Sequence, residues 1–191
     1  MENKYKFSSL AKLCVFGYGD TPAEQKWKRD PSKILVSTRF CNLTGPQLAE
    51  MLREIYNIEV EMAAAQYVLA MTGPGDTSET IGALAQALYE IDQICEMREP
   101  DLYMPPPLPQ RICGIYAAKR GSRCNAARSS AAGKISGEYI YAYPPGIPLV
   151  VPGERLDEAL LQYMEDLAAQ GVTLHSDTGA VPDVFSVLSM G

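Results

Sequence analysis

One histidine, His175, and five cysteines with no two in a Cys-x-x-Cys spacing leave little from which to build a metal centre, and no zinc site is expected. The cysteines, Cys14, Cys41, Cys95, Cys113 and Cys124, are odd in number and scattered, which argues against a disulfide framework. We read them as reduced and mostly buried thiols. Long apolar runs are also missing. No stretch approaches the roughly 18 residues that cross a bilayer, and the opening MENKYKFSSLAKLCVFG has no apolar segment suited to a signal peptide. These absences predict a cytoplasmic protein without membrane contact. Basic residues are in deficit, 17 against 23 acidic, and the net charge of −6 argues against a nucleic-acid surface. The one basic cluster, Lys119, Arg120, Arg123, Arg128 and Lys134, sits among Ser, Ala and Gly with only Tyr116 as an aromatic neighbour, so 119–134 reads as a solvated loop.

Phosphate-binding signatures are absent too. VFGYGDT has Gly17 and Gly19 without the third glycine of a dinucleotide fingerprint, and TGPGDT lacks the lysine of a phosphate-binding loop. Both read as turns. Ser176 and Asp177 follow His175 too closely along the chain to make a triad, and the histidine reads as structural or surface-exposed. Glu59 and Glu61 alternate with Ile58, Val60 and Met62, which would set both acids on one strand face, open to acid/base work but more simply solvated.

What is present is enough apolar residue, 47%, to build a core in 191 residues. The prolines of MPPPLPQ, residues 104–110, deny the backbone the donors of a helix or strand interior, and we place a domain boundary there, giving modules 1–103 and 104–191. In the first, KILVST (33–38) follows Asp30-Pro31 as a strand. Thr44 then stands three residues before Gln47 in a capping-box spacing, opening a helix with Leu48, Met51, Leu52 and Ile55 on one face that ends near Tyr56-Asn57. IEVEM and YVLAMT read as a strand pair. Asp76 or Thr77 caps a second helix with Ile81, Leu84, Leu88, Ile91 and Ile94 on one face. The order strand, helix, strand, strand, helix predicts an α+β layer with one uncovered sheet face.

In the second module CGIYAAK (113–119) and SGEYIYAY (136–143) read as strands, the latter with Tyr139, Tyr141 and Tyr143 on one face and Ile140 and Ala142 on the other. Pro144-Pro145-Gly146 turns the chain into the strand IPLVV. Pro152-Gly153, suited to the centre of a type II turn, releases it into a helix carrying Leu156, Leu160, Met164 and Leu167 and stopping at Gly171. The last twenty residues, with His175 and Pro182, read as a short strand or loop and a frayed tail.

The segment GKISGEYIYAYPPGIPLVVPGE resembles the C-terminal domain of the bacterial ornithine/lysine/arginine decarboxylases. Upstream, RDPSKILVST, LTGPQLAEMLREIYNIEVEMA and VLAMTGPGDTSETIGALAQALYEID resemble the small domain of the same family, in the same order. The resemblance implies an α+β chain: the small, aminotransferase-like C-terminal domain of a fold type I pyridoxal-phosphate enzyme, with a lead-in, over 1–103, then the decarboxylase C-terminal domain over 104–191. It implies decarboxylation of arginine, lysine or ornithine in polyamine metabolism, with pyridoxal phosphate as the electron sink.

The family's cofactor lysine lies in a Ser-x-His-Lys motif of a large domain, and here His175 is followed by Ser176, so that motif is absent. We therefore expect a C-terminal piece, truncated, natural or separately encoded, that binds no pyridoxal phosphate covalently, is inactive alone, and assembles with a large cofactor-binding domain or second subunit and with copies of itself. No catalytic or metal-binding residue is assigned. Tyr143, Pro144, Pro145, Gly146 and Glu154 are the candidates for lining the substrate's approach. Glu154 would attract a guanidinium or ammonium group, or else serve the dipole of the following helix as a first-turn acid. The other reading is a non-catalytic binding or regulatory protein of the same architecture, pairing with a separate catalytic chain.

Overall fold

A computed structural model describes residues 9–16, 30, 32–100, 107–143 and 146–189. The glycines of VFGYGDT lie outside them, as do Pro31, three residues of the proline run, Pro144 and Pro145. The chain divides into two compact units, Met1–Leu102 and Tyr103–Gly191.

The first unit contains β1 (Cys14–Phe16), β2 (Lys33–Ser37), α1 (Gly45–Tyr56), β3 (Met62–Ala64), β4 (Tyr67–Met71) and α2 (Ser78–Ile94). The sheet runs β1-β2-β4-β3 with every pair antiparallel. Ile34, Val36, Val68 and Ala70 project from one face into a core completed by Leu48 and Leu52 of α1 and Leu84, Leu88 and Ile91 of α2. The register puts Phe16, Leu35, Leu69 and Met62 together on the opposite face, where Phe16 and, near the strand ends, Met71 are about half exposed.

Both helix starts follow from the sequence. Thr44 and Gln47 form the reciprocal capping box, and Thr77 does the same with Thr80. The first helix ends where Asn57 adopts a left-handed conformation at φ 55° and Ile58 donates back to Leu52 O at 2.9 Å. The far ends of the apolar stripes point outward: Ile55 is 61% and Ile94 69% exposed, while Ala49 and Ala87 take core positions.

Residues 58–61 are not a strand. The paired segment is Met62–Ala64, in the alanine stretch. Two contacts of the β3–β4 turn decide this register: Gly45 donates to Ala65 O and Thr38 to Gln66 O, both at 2.9 Å. Glu59 meanwhile turns to Arg53 at 2.6 Å, an exposed pair in which the guanidinium lowers the carboxyl's pKa. Glu59 and Glu61 therefore share no strand face.

The lead-in is held to α2 by a clamp that the sequence does not announce. Asp92, fully buried, accepts the backbone N–H groups of Ala11, Lys12 and Leu13 at 3.0, 2.8 and 2.7 Å. Lys12 Nζ in turn donates to the carbonyls of Asp92 and Cys95 at 2.6 and 2.7 Å. The last turn of α2 has no basic residue of its own, and Lys12 supplies the cation that the helix C-terminus favours.

The second unit contains α3 (Ile115–Arg120), β5 (Arg123–Ala127), α4 (Arg128–Ala131), β6 (Ile140–Tyr143), β7 (Ile147–Val150), α5 (Glu158–Ala169), β8 (Thr173–Ser176) and β9 (Val184–Leu188). β5 pairs antiparallel with β9, and a second antiparallel sheet runs β7-β6-β8. Leu156, Leu160, Leu161 and Met164 pack with Ile140, Val150, Phe185 and Val187 in its core. The mixed α+β class expected from the sequence holds.

Three local expectations do not. Cys113–Lys119 is no strand; Ile115–Arg120 is a helix, with Lys119 and Arg120 placed favourably in its last turn. The Arg/Ser/Ala-rich 119–134 is no solvated loop, because its alanines serve as core: Ala126 of β5 and Ala131 of α4 are buried. Residues 184–188 are not a frayed tail, since β9 places Phe185 and Val187 at full burial. Leu156 is likewise buried, but it precedes the helix, whose cap is Asp157 accepting from Leu160 N–H at 2.8 Å. Gly171, at φ 83°, follows that helix as expected.

Two substitutions test the first unit. Asp92→Ala leaves three amides without their acceptor and should cost about 3 kcal/mol in urea unfolding; Asp92→Asn, which can keep the oxygen that accepts from Lys12 and Leu13 but sets an amide donor against the Ala11 N–H, should recover only part of it. A Cβ at Gly45 would lie 1.9 Å from Ala64 O and 2.5 Å from Tyr67 O, whereas one at Gly73 meets nothing within 4 Å. Gly45→Ala should therefore destabilise by roughly 3 kcal/mol or more and Gly73→Ala by under about 1 kcal/mol.

Candidate functional site

β6 is the central strand of its sheet, and its alternation sorts chemistry by face. Ile140 and Ala142 point into the core; Tyr141 and Tyr143 point outward, and Tyr143 is 56% exposed. His175 lies opposite Tyr141 in the β6–β8 register. Its ring stacks on Tyr141 with centroids 5.5 Å apart and meets Tyr143 edge-on at 5.9 Å. At the start of the strand the Lys119 ammonium sits 4.9 Å above the Tyr139 ring and pairs with Asp177 at 2.5 Å. Asp177 also accepts the Tyr139 N–H at 3.4 Å. The result is an aromatic stripe with a compensated cation at one end and the Tyr143–Gly146 corner at the other.

The corner is closed by Gly146 N–H donating to Ala142 O at 2.9 Å, with Gly146 at φ 87°. The hairpin's other boundary is the Val151–Glu154 turn. Glu154 N–H donates to Val151 O at 3.2 Å, and Gly153 takes φ 96°. A Cβ on Gly153 would stand 2.5 Å from Cys113 O, because the backbone at 112–113 donates twice to Gly153 O, at 2.9 and 3.1 Å. Glu154 Oε2 accepts Val151 N–H at 2.8 Å, so its carboxylate serves its own turn, three residues before the Asp157 cap and outside the first helical turn. The β6–β7 register pairs Ala142 with Ile147 and Ile140 with Val150. Tyr143 and Gly146 therefore lie at one end of the hairpin and Glu154 at the other, and the structure does not gather them into one cluster.

The carboxylate that organises this region is Glu138, which sequence reasoning missed. It is fully buried, and Oε1 accepts Ser186 N–H at 2.6 Å while Oε2 accepts Thr178 N–H at 3.1 Å and Thr178 Oγ1–H at 2.7 Å. The signal was its parity: Glu138 falls two residues before Ile140, on the buried side of the alternation. By holding Thr178 it fixes the turn carrying Asp177, and so the partner of Lys119. Ser176 Oγ contacts Thr178 Oγ1 and accepts Gly179 N–H at 3.0 Å, and His175 faces tyrosines, so no triad forms.

The three arginines of the same basic cluster are engaged as well. Arg128 pairs with Glu158 and Glu165 at 2.8 Å each, which raises its pKa; Arg123 donates to Lys119 O, and Arg120 donates to Tyr116 Oη while lying over its ring. Among the described residues no group of three metal-ligating side chains gathers, and no helix is long and apolar enough to cross a membrane.

Two of the lysines among the described residues are already engaged. No lysine follows a histidine in the sequence, Lys12 holds the end of α2, and Lys119 is committed to Asp177 and Tyr139. The two hairpin glycines separate the site's constraints: Gly153→Ala should destabilise the chain by about 3 kcal/mol or prevent folding, whereas Gly146→Ala, with only Tyr143 Cδ2 near at 3.7 Å, should cost about 1 kcal/mol in thermal unfolding.

Residues 116–174 match the family model described as Orn/Lys/Arg decarboxylase, C-terminal domain. The chain is 33% identical over 141 residues to an arginine decarboxylase of Bacillus subtilis, covering 71% of this chain and 28% of the relative. It is 30% identical over 164 residues to one of Halalkalibacterium halodurans, covering 83% and 33% respectively. The chain thus spans about a third or less of the curated relatives it matches. In fold it aligns with the constitutive lysine decarboxylase of Escherichia coli, at TM-score 0.61 and 18% identity over 84% of this chain and 32% of that one. A lysine decarboxylase of Francisella novicida aligns at TM-score 0.64 and 14% identity, over 93% and 36%. Residues 116–174 carry the C-terminal domain of the Orn/Lys/Arg decarboxylase family.

Proposed function

We propose that this chain acts as the C-terminal region of a pyridoxal-phosphate-dependent decarboxylase of a basic amino acid, arginine first, and is not catalytically complete alone. The observation that carries the reading is the combination of the domain match over 116–174 with identity to arginine decarboxylases that extends over 141 residues. Arginine takes precedence over lysine because the two lysine decarboxylases compared above share 18% and 14% identity with this chain and speak for fold alone. On this reading the cofactor is held by another polypeptide segment, on a large domain or a second subunit, because no histidine-lysine pair occurs in the sequence and Lys12 and Lys119 are engaged elsewhere. The cofactor supplies the electron sink; this chain's part is to shape the substrate's approach. Tyr143 and Gly146 flank the turn suited to that role, with the aromatic stripe beside it; Pro144 and Pro145, in the same sequence segment, lie outside the described residues. Glu154 holds the far turn of the hairpin. The half-exposed Phe16 and Met71 suit the outer face of the first unit's sheet to cover by the cofactor-bearing polypeptide or a second copy.

Titration of the purified chain with pyridoxal phosphate, followed by borohydride reduction and peptide mapping, should label no lysine stoichiometrically. One lysine labelled at one equivalent would mean that the chain holds the cofactor itself and would overturn the reading. Co-expression with an arginine decarboxylase truncated to its cofactor-bearing part should restore carbon dioxide release from carboxyl-labelled arginine. A stable complex without turnover would instead favour the regulatory role.

A further inference from the structure

Two thiols of the first unit converge where the segment after β2 meets the end of α2. Asn42 N–H donates to Glu96 O at 3.0 Å, Arg98 N–H to Phe40 O at 2.9 Å, and Glu96 N–H to the Asn42 side-chain oxygen at 3.0 Å, so 40–42 runs antiparallel to 96–98. Cys41 lies opposite Met97 in that short ladder. Cys95, the C-cap of α2, is two residues earlier and therefore Cys41's diagonal neighbour. Both side chains enter the same core cluster, at 2% and 7% exposure. Cys41 is near enough to Cys95 to help raise its pKa. Each thiol otherwise donates only to a nearby carbonyl, Cys41 to Thr38 O at 3.3 Å and Cys95 to Asp92 O at 3.6 Å, contacts that a change of sulfur chemistry can release.

We propose that Cys41 and Cys95 are a redox-responsive dithiol that a low-molecular-weight disulfide closes into an internal disulfide, stapling residues 40–42 to the end of α2. One cysteine, as thiolate, attacks a sulfur of the reagent disulfide and expels one reagent thiolate. The second cysteine, as thiolate, attacks the resulting mixed disulfide at the protein sulfur, forms the Cys41–Cys95 bond and expels the other. Two electrons pass to the reagent, and the two cysteine protons end on the two released thiols.

The surroundings set the rate. Burial, with Cys41 and Asp92 nearby, pushes the Cys95 thiol up to about 11, against the opposing influence of Lys12. Its thiolate is therefore scarce at neutral pH, and exchange awaits fraying of the last turn of α2. The cross-link closes a loop containing α1, β3, β4 and the whole of α2, which restricts the unfolded chain.

The test uses the native chain incubated with oxidised glutathione, then alkylated in denaturant and mapped by peptide mass spectrometry. Expected are a linked Cys41–Cys95 peptide, an intact mass lower by two hydrogens, reversal by a reductant, and a rise in Tm of about 5 °C or more. The rate should climb roughly tenfold per pH unit between about pH 7 and 9. Repetition with Cys124→Ser, which removes an exposed thiol, should give the same peptide. Full alkylation of both cysteines, glutathione retained singly on either, or linkage through Cys14 in place of Cys95 would each overturn the proposal.

Discussion

A buried carboxylate that accepts main-chain N–H groups is the constraint on which each unit depends. In the first unit Asp92 gathers three consecutive amides of the lead-in; in the second Glu138 gathers amides from Thr178 and Ser186, together with the Thr178 hydroxyl. Both residues are fully buried, and a buried charge is tolerable only when its oxygens are fully engaged. The dependence is mutual, because the amides lie in extended or turn segments without a complete ladder of their own. Asp92 draws Leu13 into the core beside β2. Glu138 sets the 176–179 turn and thereby the position of Asp177.

That second constraint is what makes the β6 face usable. Lys119 is neutralised by Asp177 and covers Tyr139, so the outer side of the sheet presents aromatic surface more than charge. His175 braces Tyr141 and Tyr143 by ring contacts and is consumed in doing so, which leaves no nucleophile or base assembled around it. A face of this kind can shape and exclude, but it cannot supply an electron sink.

Elements legible from the sequence were those whose determinants are local. The capping box at Thr44, a cap at Asp76 or Thr77 that proves to be Thr77, the Pro152-Gly153 turn and the Tyr/Ile/Ala alternation of β6 each depend on residues within a few positions, and all are present. The misread segments are short stretches whose partners are remote. β3 is placed by contacts of its turn with Gly45 and Thr38, not by the alternation of 58–62. β5 exists because β9 pairs with it some sixty residues on, and its alanines look like loop composition until Phe185 packs beside them.

The candidate site divides in the same way. By itself the sequence determined the family resemblance, the absence of a histidine-lysine pair, and the two glycine corners of the hairpin, since these rest on residue identity and local backbone freedom. Only the tertiary structure decided that Tyr143 and Glu154 occupy opposite ends of that hairpin, that His175 is a brace between tyrosines, and that Glu138 is the buried anchor. Those outcomes depend on strand register and on donors brought from distant segments, and a pairing across the sheet leaves no mark on the neighbouring letters of either strand.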